Sequence, residues 1–259
     1  MSTFIDTHAH LDFDEFKDSM PDLIEELKKN GIKKVILPGV NKDNSRRIIE
    51  LTEKYDMFYG ALGVHPSEAK TWDGTSYEYF KNLAQHEKIV AVGEIGLDYY
   101  WDKTFNDVQK HVFREQIRLA KELKKPVIVH DREAHLDTFN ILKETNAAQV
   151  GVVMHCFSGS SEFALQCVKE GFYIAIGGPV TFKNALKPKE VAKNIDINYL
   201  LLETDSPYLA PHPYRGSVNS PMYIPIIASV IAELRGISLD EVAETTTRNA
   251  NKLFNLDKK

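Results

Sequence analysis

Eight short apolar runs punctuate this chain, and longer charged, helix-like stretches separate them. The runs cover residues 3–8, 33–40, 58–64, 89–96, 126–130, 150–155, 172–177 and 199–203. They are rich in Val, Ile, Leu and Phe with little polar alternation, the pattern of strands buried on both faces of a parallel sheet. Helix signals fill the gaps. Pro21 and Asp22 open one segment, with proline in the first turn and an acid near the positive end of the helix dipole. Thr75-Ser76-Tyr77-Glu78 and Ser238-Leu239-Asp240-Glu241 have capping-box spacing, the latter opening a last helix that runs to about Leu253. Between 105 and 124, Val108, Val112, Ile117, Ala120 and Leu123 recur at helical spacings. Eight such alternations predict an α/β fold, a single (β/α)8 TIM-type barrel spanning residues 1–259 as one domain. An open doubly wound sheet is the competitor, weakened by the lack of a glycine-rich phosphate loop after the first run.

The run ends carry the chemistry. Phe4-Ile5-Asp6-Thr7-His8-Ala9-His10 closes on two histidines two residues apart, which share one side of an extended chain. The third run ends at His65, the fourth at Glu94, the fifth at His130 and the sixth at His155. The eighth ends at Glu203 and Asp205. In a barrel these ends converge on one face, where active sites lie. A single histidine or acid at a strand end is ordinarily structural. Here five of nine histidines close an apolar run, and that coincidence points to metal ligation. His86, His111, His135 and His212 sit in helical or loop contexts.

Four histidines with two carboxylates exceed the three protein ligands of a typical catalytic zinc. Two divalent ions bridged by a carboxylate would use all six, and Glu94 has the two oxygens that a bridge needs. Such a pair suits hydrolysis of a phosphate ester, and equally of an amide or lactone. Nitrogen and oxygen ligands without thiolate fit Zn, Mn, Co or Mg. Cys156, directly after His155, is expected to face the core.

Other features narrow the class. A net charge of -5 argues against broad phosphate neutralisation of duplex nucleic acid. It leaves room for a nuclease that grips a few phosphates with metals and arginines. Two cysteines do not suggest a disulfide framework, no apolar run nears the ~20 residues of a membrane span, and no basic-then-apolar leader is visible. The expectation is a soluble cytoplasmic protein with no membrane association and no obligate protein partner. Tyr99-Tyr100-Trp101 follows the Glu94 run and can be read as a base-stacking surface or as a hydrophobic lid. The loop from Ala210 to Pro221 is rich in Pro, Gly and Ser, an excursion of the kind that shapes sites.

At these same residues the sequence resembles the TatD family of metal-dependent deoxyribonucleases, within the amidohydrolase-like barrels. Five segments carry the resemblance: residues 5–10, Gly93-Glu94-Ile95-Gly96-Leu97-Asp98-Tyr99, His130-Asp131-Arg132-Glu133-Ala134, His155-Cys156-Phe157-Ser158-Gly159, and Glu203 to Pro211. It implies that His8, His10 and Asp205 hold one ion, that His130 and His155 hold the second, and that Glu94 bridges them. It further implies that Asp205 orients the attacking water and accepts its proton, that His65 stands at the substrate phosphate, and that Arg132 pairs with a phosphate oxygen. Tyr99 and Arg215 complete the expected substrate-binding set. The implied activity is cleavage of DNA phosphodiesters, as a 3′–5′ exonuclease on single-stranded or frayed ends. Ser217 and Val218 stand where the family often has basic residues. An amidohydrolase-type enzyme acting on an amide or a carboxylic or aminoacyl ester is the alternative. Many such barrels bridge their metals with a carboxylated lysine, and no lysine ends a run here. A non-enzymatic protein that retains the metal site is a third reading.

Overall fold

The computed structural model describes residues 2–258. Eight parallel strands form one sheet in sequential order: β1 (Phe4–Asp6), β2 (Ile32–Pro38), β3 (Phe58–Leu62), β4 (Ile89–Asp98), β5 (Val127–Arg132), β6 (Val152–Met154), β7 (Tyr173–Ile176) and β8 (Leu200–Leu202). Each expected run thus overlaps a strand, with β2 starting one residue earlier and β4 and β5 each running two residues further. The ends of the sheet meet through backbone bonds: Thr7 N–H donates to Leu202 O at 3.0 Å and Asp205 N–H to His8 O at 2.9 Å. The result is a (β/α)8 TIM barrel, and an open sheet is excluded.

Among the described residues, ten helices wrap it: α1 (Asp14–Lys17), α2 (Met20–Lys29), α3 (Lys42–Lys54), α4 (Ser76–Leu83), α5 (Asn106–Leu123), α6 (His135–Glu144), α7 (Ser161–Lys169), α8 (Leu186–Asn194), α9 (Ile224–Arg235) and α10 (Leu239–Phe254). Pro21 lies in the first turn of α2, and Ser238 caps α10 by accepting from Glu241 N–H. Thr75 does not cap α4. Asp73 instead accepts from Thr75 N–H, Thr75 Oγ1 and Ser76 Oγ. That carboxylate offers a stronger local acceptor than the threonine hydroxyl. On α5, Val112, Ile117 and Ala120 are buried, but Val108 faces solvent.

Two apolar layers result. Strand residues pointing outward pack with the helices. Inside, Ile36, Ala61, Ile128, Val153 and Leu201 fill the barrel, and Phe254 and Leu256 stop its N-terminal end. With that end closed, the opposite mouth is left for a site. No single helix among the described residues is long and apolar enough to cross a membrane.

Candidate metal centre

The C-terminal mouth holds a cavity of about 540 Å³ lined by His10, His65, Glu94, His130, His155 and Asp205, with Phe13, Trp101, Arg132 and Tyr208 around its rim. Each polar residue is set by a strand end or by the backbone just beyond one. Glu94 sits inside β4 where the register with β5 slips between Val92 and Ile95, so a bulge turns its carboxylate into the barrel. Asp205 adopts φ +58, a left-handed conformation that aspartate tolerates better than most residues and that concentrates at functional sites.

His8 Nε2 lies 3.3 Å from His10 Nε2, 3.3 Å from Glu94 Oε2 and 3.8 Å from Asp205 Oδ1. His10 Nε2 is 3.8 Å from Glu94 Oε2 and 3.6 Å from Asp205 Oδ1. Four donor atoms around an ion at 2.1 Å would be about 3.4 Å apart if tetrahedral. These separations fit a divalent cation. Burial holds His8 well below the usual histidine range and His10 at about 4, so both rings are neutral near pH 7, as ligands must be. Their Nδ1 atoms are buried and make no hydrogen bond among the described residues.

The other oxygen of Glu94 faces a different set. Glu94 Oε1 is 2.7 Å from His130 Nδ1, 3.7 Å from His155 Nε2 and 3.8 Å from His65 Nε2. Burial opposes ionisation of Glu94, but the histidines around it outweigh that and hold the carboxyl well below its ordinary range. One carboxylate therefore serves two groups of imidazoles, the arrangement a bridging ligand requires.

Two acids stand behind the second group. His130 Nε2 is 2.9 Å from Asp98 Oδ2, and His155 Nδ1 is 2.9 Å from Glu203 Oε2. Such pairings fix the ring and aim the opposite nitrogen at a metal. Burial lowers both histidines, yet the acids prevail: Asp98 and Glu94 raise His130 to about 9, and Glu203 and Glu94 raise His155 to about 10. Asp205 rises to about 7 through burial.

His65 is different again. Its Nδ1 accepts from Ser67 N–H at 3.1 Å, and burial lowers the ring to about 3. A neutral ring with Nδ1 so occupied carries its proton on Nε2, directed into the cavity. Arg132 reaches the same cavity with its guanidinium 3.9 Å above the Tyr100 ring and 5.4 Å from that of Trp101.

Two expected substrate residues lie elsewhere. Tyr99 follows inward-facing Asp98, so strand alternation sends it outward. Its hydroxyl donates to Asp137 Oδ2 at 2.7 Å. Arg215 is exposed on the 210–221 loop and stacks on Phe182 at 4.2 Å, outside the cavity lining. Cys156 is half-buried rather than core. Because β6 has already ended at Met154, alternation no longer governs Cys156, which sits at φ +44 and lines a separate cavity of about 190 Å³.

Contacts beyond the reading of single strand ends also matter. Gln116 of α5 accepts from Val64 N–H at 2.7 Å and donates to Val64 O at 2.9 Å. Gln109, two turns earlier, does the same for Asp98 at 2.8 and 3.0 Å. These amides replace sheet partners just where the chain delivers His65 and Asp98. Two buried glutamines seven apart on one helix face were the available signal.

A barrel whose mouth gathers this set of imidazoles and carboxylates falls in the class of metal-dependent hydrolases. The family model described as TatD related DNase matches residues 5–255, and the chain belongs to the TatD family. The uncharacterized metal-dependent hydrolase YabD of Bacillus subtilis is 47% identical over 252 residues, covering 97% of this chain and 99% of the relative. YcfH of Escherichia coli, named in the same terms, is 36% identical over 256 residues, covering 98% and 96%. The crystal structure of the E. coli TatD homolog YjjV has a TM-score of 0.93 at 35% identity, over 98% of both chains.

Proposed function

We propose that this chain hydrolyses DNA phosphodiesters as a 3′–5′ exonuclease on single-stranded or frayed ends. The division of Glu94 between His8 and His10 on one oxygen and His130 and His155 on the other carries the proposal. His8, His10 and Asp205 would hold one divalent ion (Mg, Mn, Zn or Co), His130 and His155 a second, and Glu94 would bridge them. When bound, such ions supply Lewis acidity and make water nucleophilic near neutral pH.

The chain's own groups do the rest. Asp205, whose Oδ1 faces His8 and His10, would orient the attacking water and accept its proton on the other carboxylate oxygen. His65 offers Nε2–H to a non-bridging phosphate oxygen. Arg132 is held by stacking, which leaves its donors to a second phosphate oxygen. Trp101, 73% exposed at the rim, presents a face on which a base can stack. A cavity of about 540 Å³ matches a single nucleotide rather than a duplex.

The test is purified, metal-loaded protein with end-labelled single-stranded DNA beside a panel of carboxylic and aminoacyl esters. Stepwise shortening from the 3′ end supports the proposal. Ester turnover without DNA cleavage would favour the amidohydrolase-type alternative.

A further inference from the structure

Trp101 lines two neighbouring cavities. Beyond the metal-site cavity lies a second of about 230 Å³ that shares Ser67, Asp98 and Trp101 with it and adds Lys70, Asp102 and Phe105. Among the described residues, the lysine or arginine that lines each cavity is Arg132 on the metal side and Lys70 on the far side. Lys70 Nζ stands 4.1 Å above the Phe105 ring and 3.8 Å from Asp102 Oδ2, with 60% of its side chain exposed. That separation is at the outer limit of an ion pair, so the ammonium keeps most of its capacity for a ligand.

The acids nearby are already engaged. Asp98 Oδ2 faces His130, while its Oδ1 accepts from Tyr100 N–H at 2.9 Å. Asp102 Oδ1 accepts from Thr104 N–H and Oγ1. The carboxylate that orients His130 thus also fixes the start of the segment bearing Trp101, and that segment is tied to the metal centre.

We infer that Lys70 and Trp101 form a second nucleotide subsite, which takes the phosphate adjacent to the scissile one. The ligand class is a polynucleotide strand running from the metal centre past the indole to the ammonium. The inference rests on the phosphodiesterase reading and extends it: the substrate is recognised over at least two phosphates.

The experiment uses the full metal-loaded protein and three thymidine dinucleotides, one plain, one with a 5′-terminal phosphate and one with a 3′-terminal phosphate. One terminal phosphate should raise kcat/KM over the plain dinucleotide by roughly two- to fivefold, the range of a solvent-exposed ion pair. The gain should shrink at high salt, vanish in Lys70→Ala and turn into a loss in Lys70→Glu. A wild-type protein indifferent to both terminal phosphates, or a gain that survives in Lys70→Glu, would overturn the inference. Cleavage of the plain dinucleotide reads the phosphodiesterase assignment separately. If it fails with metal bound, that assignment falls and the subsite with it.

Discussion

Glu203→Gln isolates what the acid behind His155 contributes. Glu203 is fully buried, accepts from Cys156 N–H through Oε1 at 2.6 Å and meets His155 Nδ1 through Oε2 at 2.9 Å. Glutamine keeps the shape and one carbonyl acceptor but replaces the other oxygen with a donor. Only one of the two bonds can then persist, and the negative charge that fixes the His155 tautomer is gone. Removing such an outer carboxylate typically weakens metal binding or activity by about 10–100-fold, equivalent to about 1.4–2.7 kcal/mol. The weakening should fall mainly on the ion held by His155, because the hydrogen bonds of Glu203 go to His155 and Cys156. Calorimetric titration of chelator-stripped protein with Mn²⁺ or Zn²⁺ measures both affinities. Far-UV circular dichroism confirms that the variant is folded. Wild-type affinity in folded Glu203→Gln, or equal weakening of both sites, would refute the reasoning.

Asp205→Asn should retain the fold and lose about 10²–10⁴ in kcat, as expected when a positioned proton acceptor is removed; steady-state kinetics with saturating metal checks this. Gln116→Leu should cost about 2–4 kcal/mol in urea unfolding, since it leaves Val64 N–H and C=O buried without partners. It should also raise KM more than it lowers kcat, because His65 follows Val64 directly. In metal-free protein His130 and His155 are held at about 9 and 10, above their ordinary 6.5. A raised pKa gives a contribution that is complete below pH 6.5 and lost as pH climbs through 9 to 10. The melting temperature of chelated protein should therefore fall between pH 7 and 10. Metal needs those rings deprotonated, so the metal-induced rise in melting temperature should grow from pH 6.5 to 8.5, as read by differential scanning fluorimetry.

The barrel was legible because parallel strands buried on both faces are written as uninterrupted apolar runs, and Val127-Ile128-Val129 or Leu200-Leu201-Leu202 admit little else. The ligand positions were legible for a related reason. An apolar run that stops at His130 or His155 stops where the strand leaves the core, and barrel topology sends all such ends to one mouth. Loops carry no such periodicity. Arg215 was expected in the site from its segment, but its place depends on how the 210–221 loop crosses the barrel and on a stacking partner, Phe182, far away in sequence.

A harder limit separates the metal ligands from what holds them. Glu203 and Asp98 stand among the strand-end acids, yet nothing in their spacing tells a ligand from the residue behind one. That difference is set by which strand neighbours which: β4 beside β5 puts Asp98 against His130, and the backbone running beyond β8 puts Glu203 against His155. Gln109 and Gln116 are further removed, since a helix must pack across β4 before their amides reach Asp98 and Val64. Composition and period identify groups with an intrinsic affinity for metal. The groups that tune that affinity acquire their role only from tertiary pairing, so Glu203→Gln and Gln116→Leu probe the part of this site that pairing alone creates.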